Sequence, residues 1–120
     1  MTTREMTLEE RLDFIEFRQE LLFENSEKSR LLFESDVTRD EYQAIVDVFS
    51  EFSRKIDSGE KVFHSSYEQS IYQAVPHHKG NYHFAENLAL TNYEQGSWKE
   101  VFETLYGEME KFKSDLKKND

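Results

Sequence analysis

The sequence predicts an all-α protein, a compact array of five to six helices ending in an antiparallel helical hairpin. Three observations predict it. Large apolar side chains recur at steps of three and four residues, the helical period, in most stretches of the chain. Helix-opening signatures of the Ser/Thr-x-x-Glu type stand ahead of three of those stretches, at Thr7, Thr38 and Ser97. One proline and four glycines in 120 residues leave few natural breaks, which suits long helices more than a turn-rich β fold. Ten Phe and six Tyr, spread along the chain, supply the large side chains that a disordered acidic chain lacks.

The elements follow in order. Thr7-Leu8-Glu9-Glu10 is a capping box that opens a first helix. Leu8, Leu12, Ile15 and Leu22 lie along one stripe of it; Phe14, Phe17 and Leu21 form an adjoining stripe. A helix with two apolar stripes packs on more than one side. Asn25-Ser26 ends it, and a short helix over about residues 27–33 carries Leu31, Leu32 and Phe33. Thr38-Arg39-Asp40-Glu41 opens a long helix with Tyr42, Ile45, Val46, Phe49, Phe52 and Ile56 on one face, stopped at Ser58-Gly59. Residues 61–64 have extended character but are too few to found a sheet. Ser65 or Ser66 is expected to cap a fourth helix that buries Tyr67, Ile71, Ala74 and Val75, and Pro76 ends it. His77 to Gly80 reads as a polar turn.

A fifth helix, roughly residues 81–94, carries Phe84, Ala85, Leu88, Ala89 and Tyr93. Gly96 closes it, and Ser97-Trp98-Lys99-Glu100 reads as a further capping box. A last helix then bears Trp98, Val101, Phe102, Leu105, Met109, Phe112 and Leu116 at helical spacing. The short link around Gly96 makes these two helices antiparallel neighbours. One domain over residues 1–120 is expected, with residues 1–6 and 117–120 frayed.

Composition narrows the function classes. The net charge of −10 repels phosphate backbones and anionic lipid, so neither direct nucleic-acid binding nor membrane binding is expected. No apolar run approaches the roughly 20 residues that span a bilayer. The absence of cysteine removes disulfides, thiolate metal sites and a cysteine nucleophile, and suits a cytoplasmic location.

Chemistry-bearing clusters are sparse. His77, His78 and His83 are close in sequence, and His83 shares a helical face with Glu86; together they are weak candidates for a transition-metal site. No HExxH or paired ExxH pattern accompanies them, and solvated or structural histidines are the plainer reading. Paired acids such as Glu16 with Glu20, Glu24 with Glu27, and Glu100 with Glu103 have the spacing used by all-helical nucleotide pyrophosphohydrolases around magnesium. Glutamate is so frequent here that solvated helix faces explain most of these pairs. No catalytic residue and no cofactor is assigned.

The order of segments resembles the YhaI-like family of small helical proteins from Gram-positive bacteria. The likeness is carried by Ala89-Leu90-Thr91-Asn92-Tyr93-Glu94-Gln95-Gly96 followed by Glu100-Val101-Phe102, by Glu10-Arg11-Leu12-Asp13-Phe14, and by residues 38–52. The resemblance implies a multi-helical fold and homo-oligomers, and it brings no catalytic residues.

The expectation is therefore a non-enzymatic protein-interaction or regulatory module that self-associates through a surface including Phe14, Phe17 and Leu21. A basic protein partner is a further expectation from the acidic charge. A divalent-metal-dependent enzyme and an acidic nucleic-acid-mimicking decoy are the alternatives.

Overall fold

The computed structural model describes residues 6–109 and Lys111. Within them the chain forms six α-helices and one 3₁₀ turn: α1 Leu8–Glu24, α2 Glu27–Glu34, α3 Arg39–Asp57, α4 His64–Ala74, the turn Pro76–His78, α5 Tyr82–Glu94 and α6 Lys99–Tyr106. There is no strand among the described residues. Helix α3 lies against α4 and α6, α5 against α2, α4 and α6, and α1 rests on α2 and α3.

Local chemistry sets most boundaries. Thr7 and Thr38 both form reciprocal capping boxes, with Glu10 and Glu41 reaching back to the cap amides. Ser26 caps α2 in the same way, using Ser29. Asn25 takes the left-handed conformation that asparagine tolerates, turning the chain between α1 and α2 within two residues. Helix α4 stops at Ala74, because Val75 ahead of Pro76 is held out of the helical region at φ −132°, ψ 80°.

Two expected caps are absent. Helix α4 begins one residue before Ser65, with Phe63 in the cap position and no side-chain cap bond. Helix α6 is preceded by Trp98 in the left-handed region (φ 48°), again with no side-chain cap. Packing overrides capping there: the Trp98 indole stacks on Phe49 at 5.3 Å, and Glu100 accepts a hydrogen bond from Ser53 of α3 instead of returning to Ser97. Helix α6 ends at Tyr106, short of the span expected; Phe112, Leu116 and both frayed ends expected from the sequence, apart from Met6, lie outside the described residues.

The core is continuous and rich in rings. Phe49, Val37, Tyr67, Ile71, Val75, Val101, Phe102 and Tyr106 are completely buried. Tyr67 is edge-on to Phe49 (5.5 Å), Phe52 (5.8 Å) and Tyr106 (6.1 Å), so α3, α4 and α6 meet around it. Tyr93 and Phe102 bring α5 against α6 at 5.1 Å.

Candidate interaction surface

Helix α1 is seated by its aromatic stripe. Phe14, Phe17 and Leu21 are buried inside the chain. The Phe17 ring meets Tyr42 at 6.0 Å. Two arginines brace the helix on its flanks. Arg18 donates to the Phe33 carbonyl at 3.0 Å and to Asp36 at 2.9 Å, with its guanidinium 3.7 Å from the Phe33 ring centre. Arg39, from the start of α3, donates to Asp13 at 2.9 Å and grips both oxygens of Glu20 at 3.0 and 2.8 Å. That forked contact pushes the Arg39 pKa further up and holds the Glu20 carboxyl below its ordinary value.

This placement corrects the interface expected from the sequence. Phe14, Phe17 and Leu21 are core, and the stripe that faces outward is the aliphatic one. Leu8 is 71 % exposed, Leu12 52 %, Ile15 59 %, Leu22 60 %, and Phe23 beside them 93 %. The reason is physical. Both stripes are apolar enough to be buried, and the groups beside the aromatic one, Arg18 and the Asp13–Glu20 edge, find partners at Phe33 in α2, at Asp36 and at Arg39 in α3. Scattered exposed leucines are ordinary; five large apolar residues along one helix form a contiguous patch of the kind that marks a binding surface.

The histidines do something else. His77 and His78 both point Nε2 at the Ser35 carbonyl, at 3.0 and 2.8 Å, tying the 3₁₀ turn to the end of α2. The His78 ring stacks on Phe84 at 4.2 Å. Nδ1 of His77 is buried without a hydrogen bond, 3.7 Å from a Glu41 oxygen. These two histidines are half-buried struts rather than members of a polar turn. His83 is exposed against Tyr82, and Glu86 is buried with both oxygens 3.0 Å from Lys111 Nζ. Of the four weak metal candidates, His77 and His78 thus share one carbonyl while His83 and Glu86 meet other groups, and no group of three or more histidine or acidic side chains among the described residues could hold a metal ion. The acid pairs are similarly divided: Glu20 serves Arg39, Glu24 accepts from Ser26, and Glu100 accepts from Ser53.

Sequence reasoning missed one buried polar cluster. The Tyr106 hydroxyl donates to Glu68 at 2.7 Å, and the Tyr67 hydroxyl donates to the Ala85 carbonyl at 2.7 Å. His64 Nδ1 lies 3.5 Å from the same Glu68 carboxylate. Burial pushes both phenols well above their ordinary pKa, and the nearby Glu68 charge adds to it. The available signal was tyrosine rather than phenylalanine at core positions, since a buried hydroxyl requires a partner. Lys28 likewise reaches the buried Asn92 at 3.1 Å, joining α2 to α5.

No helix among the described residues is long and apolar enough to cross a membrane. Compared with protein-family models, curated proteins and solved structures, the chain matches none.

Proposed function

We propose that this chain is a non-enzymatic interaction module that self-associates, and that its working surface is the outer face of α1. The supporting observation is the row Leu8, Leu12, Ile15, Leu22 and Phe23, exposed while the rest of the helix is braced against α2 and α3. Leaving such a row in water forgoes burial free energy of roughly 1.5–3 kcal/mol per large side chain. A surface that hydrophobic is retained for a partner. The proposal agrees with the resemblance to the YhaI-like family, which brings oligomers and no catalytic residues.

The test is mass against concentration. Light scattering from low micromolar to several hundred micromolar should show the wild type growing in mass. Leu12→Glu should stay monomeric with an unchanged far-ultraviolet circular dichroism spectrum. A wild-type mass that is monomeric throughout that range overturns the proposal.

A further inference from the structure

We infer that two copies of the chain pair on this face with their α1 helices parallel and in register. The inference rests on the reading of α1 as the self-association surface and adds the direction and register of the pairing. Leu8, Leu12, Ile15, Gln19 and Leu22 advance by four, three, four and three residues, which is the seam of a left-handed coiled coil. At about 100° per residue these five positions fall within an arc of about 80°, on the side of the helix away from Phe14, Phe17 and Leu21. Gln19 is the single polar residue in the row, a position where polar side chains set register.

The borders of the row decide direction. Arg11 and Arg18 lie along one border; Glu9 and Glu16 lie along the other. When two such helices pair in parallel, the basic border of each faces the acidic border of its partner, and Arg11 comes opposite Glu16 of the second copy. When they pair antiparallel, arginine faces arginine and glutamate faces glutamate. Like charges across an interface are disfavoured, so the borders are self-complementary in one direction only. Among the described residues Arg11 and Glu16 make no side-chain hydrogen bond or ion pair within their own chain, so both are available.

Size is consistent with a reversible complex. The exposed apolar row offers on the order of 500 Å² per copy, so a pair would bury about 1,000 Å², at the lower edge of specific interfaces. A seam of about two heptads is too short to hold isolated peptides together. Here the helix is already formed and braced by Arg18 and Arg39, which removes the ordering cost from association.

The chain has no cysteine, so single substitutions give a clean readout. Leu8→Cys and Leu22→Cys, each oxidised alone at a concentration where the wild type associates, should both form disulfide-linked dimers. The antiparallel arrangement predicts cross-linking only when the two variants are mixed, and that result would overturn the inference while leaving self-association intact. Charge exchange supplies the second measurement. Arg11→Glu and Glu16→Arg should each weaken association about three- to tenfold, and the double variant should recover most of it. Two singles with no effect would sink the parallel pairing; a wild type that never leaves the monomer would sink both readings.

Discussion

Phe17 and Phe23 sit six positions apart on the same helix and are the same residue, yet one is 5 % exposed and the other 93 %. Truncating each to alanine therefore isolates the effect of burial. Phe17→Ala removes a ring that touches Tyr42 and lies under the Arg39 guanidinium, 5.2 Å from its centre. A buried Phe→Ala change costs about 3–5 kcal/mol, cavity included. Against a domain stability of about 5–15 kcal/mol that is a large fraction. With a urea dependence of about 2 kcal/mol per molar for a chain of this size, the midpoint should fall by roughly 1.5–2.5 M. Phe23→Ala removes a ring already in water and should move the midpoint by no more than about 0.25 M, the equivalent of about 0.5 kcal/mol. The measurement is urea unfolding followed by circular dichroism, at protein concentrations low enough that association does not add to stability. Comparable losses from the two changes, or a larger loss from Phe23→Ala, would show that α1 turns Phe23 rather than Phe17 toward the core. The assignment of its aliphatic row as a free surface would then fail with it.

Tyr67 and Tyr106 have folded-state pKa values raised above the unfolded value near 10, so their neutral forms support stability fully below about pH 10 and progressively less as pH rises further; the urea midpoint should drop on the alkaline side, and Tyr106→Phe should flatten that drop. The same substitution at neutral pH should cost about 1.5–3 kcal/mol, because it withdraws a hydrogen bond from the Glu68 carboxylate. Gly96 turns the chain out of α5 at φ +82° with open space around it, so Gly96→Ala should cost about 1–2 kcal/mol from backbone strain alone, read as a lower melting temperature. Micromolar zinc should leave the melting temperature unchanged, since His77 and His78 are occupied at the Ser35 carbonyl and His83 is exposed against Tyr82; a saturable one-to-one rise would show the histidines leaving those positions for a metal.

Periodicity and capping chemistry made the helices legible. The boxes at Thr7 and Thr38 and the breaks at Asn25, Gly59 and Pro76 all act on the local backbone, which is why a one-dimensional reading finds them. What was not legible depends on the third dimension. Ser97 has the right neighbours for a cap, but Trp98 gains more by stacking on Phe49, and no local rule weighs those two against each other. The two stripes of α1 are equally periodic. Which of them is core depends on Arg39 finding Asp13 and Glu20, 26 and 19 residues away. The three residues expected at an interface, Phe14, Phe17 and Leu21, are therefore core instead. A polar turn is the local reading of the histidines for the same reason: the Ser35 carbonyl that they share is distant in sequence.

The corner between α1 and α2 is only Asn25 and Ser26. Asn25 closes one helix through its amide to Leu21, while the Ser26 hydroxyl opens the next. Straightening this elbow to lend α1 to a neighbour as an exchanged arm would forfeit both of those caps. Chains that meet on the outer row with the elbow intact dock as already folded subunits. Such a complex should come apart on dilution without unfolding, and the acidic bodies would splay outward from a greasy hub.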